Sequence, residues 1–497
     1  MKKTISRAAV ILFWLTVWQA AAVRVDNRIL LAGPIEVCAR LGEELRQTSF
    51  YASVAGSLAR IMAGFGIGMA AGVAIGACAF FWRALKQLLE PVVLAMKSVP
   101  VAAFVILVLI WSGSKNLAVP ISFLVVFPYF YIHTLTGLAE TDRDQLAFAR
   151  VCGMRRLNRL LYVYRPALAP YLLSAARVTV GMGFKSGIAA EVIGIPEPAI
   201  GTRLYMSKVY LDTAGVLAWT DVVVLLSFLC EKIMLFLLRA LFTMHGKPLP
   251  GRIKSGVKTY ARQDAQGVTI PAMRKTYQGK TVVDLPGMRI QKGGRIALAG
   301  ESGSGKTTWL KLVTGLVQPD GETAECVSVS GNKRHAKGES LQERQSGQPD
   351  ETAGAPPRIA PAFQEDCLFM TETAADNVRM VCDARDAEQI RDCLEQILPA
   401  GVSGRCVSEL SGGMCRRVAV ARAVLAGGDL ILLDEPFRGL DAENKKKLAA
   451  FILQNQADRV LIFTAHDEAE AALLEPEKTV ALRTEKAAAE NNPFCMA

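Results

Sequence analysis

A chain of 497 residues is long enough for two or three domains, and at 51% apolar residues it is richer in hydrophobic side chains than a soluble protein of that size requires. The excess lies before Leu241, whereas charge rises after Gly246, so the composition divides the chain there. A net charge of +11 fits positive loops beside a membrane as well as it fits nucleic acid, and 11 scattered cysteines without a CxxC pair argue against a zinc site and a disulfide framework.

The N-terminus, MKKTISRAAVILFWLTVWQAAAV, has the charge order of a signal peptide and is read here as an uncleaved first span. Roughly 20 apolar residues are needed to cross a bilayer as a helix. Stretches of that kind lie at 8–23, 54–81, 92–112, 117–138, 167–195 and 215–242. Lys2, Lys3 and Arg7, then Arg83 and Lys86, then Arg143, Arg150, Arg155, Arg156 and Arg159 place alternate connections inside. About six spans therefore return the chain to the cytoplasm. In the outer loop 24–50, PIEVCARLGEELRQ reads as a short amphipathic helix or a simple connector, and 196–214 opens on the turn-like IPEPAIG.

AFARVCGMRRLNRLLYVYRPALAP is too polar to span. It reads as a helix up to Gly153, a turn, and a second helix ending at Pro166, a surface suited to docking a cytosolic partner. The stretch resembles the cytosolic signature of bacterial ABC importer permeases, a Glu-Ala-Ala opening followed by a spaced glycine and proline. Ala149, Gly153 and Pro166 match, whereas Ala147 and Phe148 stand where Glu and Ala are usual. AAEVIGIPEPAIG resembles the permeases of nitrate, sulfonate, taurine and bicarbonate importers. The resemblance implies an α-helical polytopic membrane domain of about six spans, type I importer-like, over 1–243. It further implies the bacterial inner membrane, an extracytoplasmic solute-binding protein as partner, and a small solute rather than nucleic acid as cargo.

Residues 244–267 are basic and rich in Gly, Pro and Lys, and read as a tether. GRIALAGESGSGKTTWLKLVTGL then reads as strand, loop and helix, opening an α/β P-loop domain over 268–485. Gly300, Ser302, Gly303 and Gly305 let backbone N–H groups curve around phosphate oxygens. Lys306 adds a point charge near the outer phosphates, Thr307 offers a hydroxyl to Mg²⁺, and Thr308 continues the first helical turn, whose positive end faces the anion. In LILLDEPFRGLD, Asp434 follows a buried strand and is placed to hold Mg²⁺ through water, and Glu435 to orient or deprotonate an attacking water.

ELSGGMCRRVAVARAVL resembles the signature of ABC ATPases, with Met414 where Gln is commoner. The resemblance implies that Ser411, Gly412 and Gly413 grip the ATP held by a second copy or a homologous half-transporter. It also assigns Gln364 to Mg²⁺ and permease contact, His466 to the γ-phosphate beside Glu435, and Asp441 to the dimer interface. Tyr277, 29 residues before Lys306, is spaced to stack on adenine. The polar stretch 332–358 reads as a disordered insert, and 486–497 as a tail.

Within the apolar half, Arg177, Lys185 and Glu191 are intramembrane charges and candidates for a solute path. Arg177 and Lys185 lie nearly on one helical face, and Lys185 is the one expected to meet an anion. The whole reads as half of an ATP-driven importer for a small, anionic solute. A half-exporter and a membrane-anchored ATPase sensor are the alternatives.

Overall fold

The computed structural model describes residues 2–27, 29–243, 259–301, 303–320, 355–382 and 385–482. It divides into two compact units, one of Met1–Thr141 with Tyr164–Met244, the other of Asp142–Val163 with His245–Ala497. The polar stretch between the fourth and fifth expected spans thus packs with the C-terminal unit.

The first unit is helical: α1 (Lys2–Val25), α2 (Pro34–Leu45), α3 (Thr48–Phe81), α4 (Arg83–Ser98), α5 (Val101–Ser112), α6 (Ala118–Ala139), then, after the excursion 142–163, α9 (Arg165–Gly194), α10 (Ile200–Val209) and α11 (Thr213–Thr243). By length and composition three described helices are able to cross a membrane, Thr48–Phe81, Ala118–Ala139 and Arg156–Gly194. Arg83–Ser98 and Val101–Trp111 make a fourth if that pair, bent by 107°, is one span. This corrects the continuous helix expected at 92–112. Pro100 has no N–H to give, and it forces Val99 into an extended conformation at φ −76° and ψ 132°. The expected six spans reduce to three or four by this measure. Of the others, Ala9–Val25 is a shorter apolar helix, and α11 carries Asp221, Glu231, Lys232 and Arg239.

Gly64, Gly68, Gly72 and Gly76 form an i, i+4 stripe on α3 that lets the α6 backbone approach closely. A Cβ at Gly72 would fall 2.7 Å from the Cβ of Phe130, so the pairing needs glycine. The fully buried Glu191 of α9 is held on every side. Arg60 of α3 donates to its Oε1 through Nε and Nη2 at 3.1 and 2.9 Å. Ser57 Oγ donates to Oε2 at 2.5 Å, and the Gly201 N–H of α10 donates to the same oxygen at 3.2 Å. Arg60 also caps the Pro198 carbonyl at 2.7 Å. Glu191 is therefore a staple between α3, α9 and α10. Sequence reading did not single out Arg60, a lone cation in a glycine-rich helix 131 residues from its partner. Lys185 and Arg177 are exposed on α9, and neither has a hydrogen bond or ion pair among the described residues.

The second unit begins with α7 (Arg143–Val151), α8 (Arg156–Arg159) and a π-helical turn at Leu160–Tyr164. Asp142 caps α7, accepting from the N–H groups of Asp144 and Gln145. Gly153 ends it at φ 57°, with Gly153 N–H bonded to Arg150 O and Met154 N–H to Ala149 O, both at 2.9 Å. That paired pattern requires the left-handed conformation glycine tolerates. The second helix does not stop at Pro166. Pro166 removes one N–H from the ladder, the turn before it widens to π, and the helix runs on to Gly194.

The rest of this unit carries β1 (Arg262–Gln263), β2 (Gly267–Ile270), β3 (Met273–Tyr277), β4 (Lys280–Leu285), β5 (Met288–Gln291), β6 (Arg295–Ala299), α12 (Lys306–Val313), β7 (Ile359–Ala362), α13 (Ala374–Arg379), α14 (Ala387–Glu395), α15 (Gly412–Leu425), β8 (Leu430–Leu433), α16 (Ala442–Gln456), β9 (Val460–Thr464), α17 (Glu468–Ala472) and β10 (Lys478–Ala481). Its centre is a five-stranded parallel sheet in the order β10-β6-β9-β8-β7. The aliphatic runs Leu430–Leu433 and Val460–Thr464 are buried throughout, as a sheet covered on both faces demands. Antiparallel β1-β2-β5 and the β3-β4 hairpin complete it. Of the expected tether, 244–258 lies outside the described residues, but Thr259, Tyr260 and Ala261 are buried in the unit's core. Of the expected insert, 332–354 lies outside the described residues. Pro356 and Pro357 are buried, and Arg358 is paired with Asp429 at 2.7 Å. The tail 486–497 also lies outside them.

Removing one partner of the Glu191 staple leaves the other charge buried. Arg60→Ala or Glu191→Ala in lipid nanodiscs is expected to lose about 3–5 kcal/mol, read as a lowered unfolding midpoint. The double Arg60→Leu, Glu191→Leu variant should recover part of that loss.

Candidate active site

Four of the expected motifs sit at the carboxyl ends of adjacent parallel strands, where open α/β sheets bind ligands. The glycine-rich loop follows β6, Gln364 follows β7, Asp434 and Glu435 follow β8, and His466 follows β9. Register aligns them, since Leu298 pairs with Thr464, Leu433 with Phe463, and Ala362 with Leu433.

In the loop, Gly303 and Gly305 take φ of 83° and 89°. A side chain at Gly305 would run into the Val282 carbonyl of β4, while one at Gly303 meets nothing within 4 Å. Lys306 is buried, and its Nζ donates to the carbonyls of Gly300 and Glu301 at 2.5 and 2.9 Å. Two neutral acceptors leave its charge available to an anion. Ser304 Oγ is buried in the same loop without a hydrogen-bond partner among the described residues. Thr307 and Thr308 lie in the first turn of α12, and Ser302 lies outside the described residues.

Thr307 Oγ1 donates to Asp434 Oδ2 at 2.8 Å. Thr464 Oγ1 donates to Asp434 Oδ1 at 2.9 Å and accepts the Glu435 N–H at 2.7 Å. Burial pushes the Asp434 carboxyl above its ordinary range, and the two threonine hydroxyls work against that rise. Glu435 takes φ 49°, a sparsely populated conformation for a non-glycine residue. Its backbone is anchored on both sides, by Thr464 at the N–H and by Arg416 Nε at the carbonyl, 3.2 Å. That geometry aims the side chain at His466, whose Nε2 is 3.4 Å from Glu435 Oε1. Sequence reading missed Thr464 and Arg416. Thr464 ends an apolar strand, and Arg416 sits two residues beyond the signature Met414; neither spacing announces its partner.

The residues of the site suit a bound polyphosphate and a divalent cation. An orphaned hydroxyl, an open wall at Gly303 and an uncompensated lysine suit a polyphosphate. The Thr307 hydroxyl and Asp434 carboxylate are hard oxygen donors of the kind Mg²⁺ prefers, with phosphate oxygens and water completing its shell.

Among the described residues, Ser411, Asp441 and Tyr277 share no hydrogen bond with this cluster. Ser411 is exposed as the N-cap of α15, accepting from Met414 N–H, with Gly412 and Gly413 in the first turn. Among the described residues no hydrogen bond joins them to the glycine-rich loop. Asp441 caps α16 by accepting from Asn444, and these hydrogen bonds hold its carboxyl below the usual range. Tyr277 is half-exposed at the tip of the β3-β4 hairpin, with Lys275 Nζ 5.6 Å from its ring. Gln364 lines a cavity of about 320 Å³ together with Thr307, Lys311, Ala147 and Arg150.

Residues 285–438 match the family ABC_tran, ABC transporter, and residues 64–242 match BPD_transp_1, binding-protein-dependent transport system inner membrane component. A permease-like segment and an ABC ATPase-like segment are thus fused in one chain. Its ATPase domain is homologous to known ATP-hydrolysing transporters, and the fusion is a component of the inner membrane with that domain in the cytoplasm. The ABC_tran match brings with it the ATP and Mg²⁺ binding typical of that family.

The sulfate/thiosulfate import ATP-binding protein CysA of Synechococcus elongatus is 32% identical over 42% of this chain and 58% of its own length. The CysA of Gloeobacter violaceus is 36% identical over 37% of this chain and 51% of its own. The fusion thus spans little more than half the length of the curated relatives it matches. A solved dimeric structure of the ATP-binding cassette MJ0796 bound to ADP and Pi aligns over 43% of this chain and 94% of its own, at 23% identity and a TM-score of 0.33.

Thr464→Val keeps the strand's bulk but removes the donor to Asp434 and the acceptor for Glu435 N–H. A lost buried hydrogen bond is worth about 1–3 kcal/mol, so the ATP hydrolysis rate should fall roughly 5- to 150-fold. ATP affinity, read by titration of a fluorescent analogue, should hold.

Proposed function

We propose that the fusion is one half of an ATP-driven importer for a small oxyanion of the sulfate, thiosulfate or sulfonate class, delivered by a separate extracytoplasmic binding protein. The observation that carries this reading is the packing of the permease-derived segment 142–163 into the core of the ATPase unit, in a chain that matches both families. The sulfate/thiosulfate import role named for the CysA relatives favours an oxyanion, as does the exposed pair Arg177 and Lys185 on α9.

The chemistry asked of the ATPase unit is phosphoryl transfer to water, which depends on positioning and charge neutralisation. Bound Mg²⁺ would supply the charge that neutralises developing negative charge on the phosphate oxygens. Thr307 and Asp434 would hold it. Lys306 and the backbone N–H groups of residues 300–307 cradle the phosphates. Glu435 orients the attacking water and draws its proton, and His466 steadies that carboxylate from 3.4 Å. Gln364 closes the site on the side of the 320 Å³ cavity. Ser411 and Gly412, both exposed, and Gly413 serve the ATP of a second copy or a homologous half-transporter, with Asp441 near that interface. Tyr277 receives the adenine. Domain limits of 1–243 for the permease and 268–485 for the ATPase, joined through 244–267, are part of this reading.

The deciding measurement is uptake into proteoliposomes holding the fusion and its candidate binding proteins, across a panel of sulfate, thiosulfate, sulfonates, nitrate and bicarbonate. Accumulation of one anion that depends on ATP supports the proposal. ATP hydrolysis with no uptake of any of them favours a sensor, and outward movement of solute an exporter. Glu435→Gln should bind ATP normally while hydrolysis falls by roughly a hundredfold or more. Lys185→Ala should weaken uptake of the anion while leaving basal ATP hydrolysis intact, and an unchanged uptake affinity would remove Lys185 from the path.

A further inference from the structure

The two positions of the cytosolic signature that break its usual pattern have different surroundings. Ala147 lines the 320 Å³ cavity. Phe148 is 1% exposed, and its ring lies under the guanidinium of Arg422, whose central carbon is 3.7 Å from the ring centroid. Arg422 belongs to α15, the helix that opens with the signature glycines, and is itself 1% exposed. Its Nη1 donates to Cys367 O at 2.8 Å and its Nη2 to Asp366 O at 2.7 Å. Its Nε has no hydrogen-bond partner among the described residues. No carboxylate among them forms an ion pair with it, because the Asp366 side chain is taken by Arg416 at 2.8 Å. Burial lowers the Arg422 pKa to about 10, which still leaves a cation at neutral pH. A buried cation needs a counter-group, and here the aromatic face supplies one.

Arg416, six residues earlier on α15, grips the other end of the same segment. It donates to Phe363 O at 2.7 Å, to the Asp366 carboxylate, and to the backbone carbonyls of Asp434 and Glu435. Residues 363–367, with Gln364 among them, are therefore held between two arginines of one helix. One arginine reaches the catalytic backbone, and the other reaches α7.

We propose that Phe148 is a positioning residue through which α7 follows the segment 363–367, its ring acting as the counter-group of buried Arg422. Rearrangement at Gln364 and Glu435 then passes into the permease chain through a cation–π contact rather than an ion pair. This deepens the transporter reading and rests on it for its purpose, but its test does not need a transported solute.

The test uses the full chain in lipid nanodiscs and reads hydrogen exchange over 143–151, with and without Mg²⁺ and a non-hydrolysable ATP analogue. Phe148→Leu keeps apolar bulk and removes the π face, whereas Phe148→Tyr keeps it. Wild type and Phe148→Tyr should show a nucleotide-dependent change in exchange, and in Phe148→Leu that change should shrink by about threefold or more. Analogue affinity should stay near wild type in all three, and the unfolding midpoint should fall in Phe148→Leu but hold in Phe148→Tyr; a merely structural role for Phe148 would lower the midpoint and leave the nucleotide-dependent exchange response unchanged. If the Leu variant does not fold, Phe148→Met gives the same reading. A Leu response equal to wild type, a Tyr response as small as that of Leu, or no nucleotide response in wild type would each overturn the proposal. A wild-type exchange response without uptake of any anion ends the importer reading and leaves this contact standing.

Discussion

The ATPase unit is organised around one buried carboxylate. Asp434 is 1% exposed, and an unpartnered charge there would cost several kcal/mol. Thr307 comes from the helix after the glycine-rich loop and Thr464 from the end of β9, so the two hydroxyls that satisfy it also lock three strand ends in register. Glu435 inherits its place from that lock. Its N–H is held by the same Thr464, its carbonyl by Arg416, and its left-handed backbone turns the side chain out toward His466. The strain in that residue persists because the neighbouring contacts over-determine it. The protein's own contacts thus hold these groups in place, which is the arrangement electrostatic catalysis requires.

Local chemistry is what the sequence made legible. The glycine-rich loop, the aliphatic strands before Asp434 and His466, and the amphipathic α2 each declare themselves within a dozen residues, because glycine content and periodicity act over that range. Partners contributed by distant segments do not. Thr464 is 30 residues from Asp434 and Arg60 is 131 residues from Glu191, and neither spacing carries a signal. Packing at the segment edges lies beyond that range as well. The tether and the insert were drawn by polarity, yet Tyr260 and Ala261 enter the core and Arg358 is fastened to Asp429, so packing overrode composition at both edges. At Pro100 and Pro166 hydropathy pointed to a continuous span and a helix end, and the backbone did the reverse in each case. A proline after an extended residue bends the first, while a π turn absorbs the missing donor in the second.

The intramembrane charges separate by the same physical test. Glu191 was grouped with Arg177 and Lys185 because all three are rare in apolar helices. Its carboxylate accepts from Arg60, Ser57 and Gly201, so it ties helices together and its oxygens are already bonded. Arg177 and Lys185 carry no such satisfaction among the described residues. A cation left exposed on an apolar helix must meet water, lipid headgroups, a second chain or a solute, and only the last two of these would make its position specific.

Coupling between a motor and a membrane segment needs a contact that moves as a piece. A flexible loop lying on a surface absorbs displacement, whereas close-packed interiors transmit it. The segment 142–163 meets that requirement, since Phe148, Val151, Cys152, Tyr162 and Val163 are all part of one hydrophobic core with Leu298, Leu310 and Leu432. Burial pushes the thiols of Cys152 and Cys367 up to about 12, so both are neutral and behave as apolar filling around Arg422. The guanidinium sits amid that apolar surround, and among the described residues its partners are two carbonyls and a ring. Any shift of residues 366–367 must either carry the guanidinium with it or break buried hydrogen bonds, and a guanidinium that moves must keep its aromatic face. Rigid transmission of a displacement follows from the expense of the alternatives.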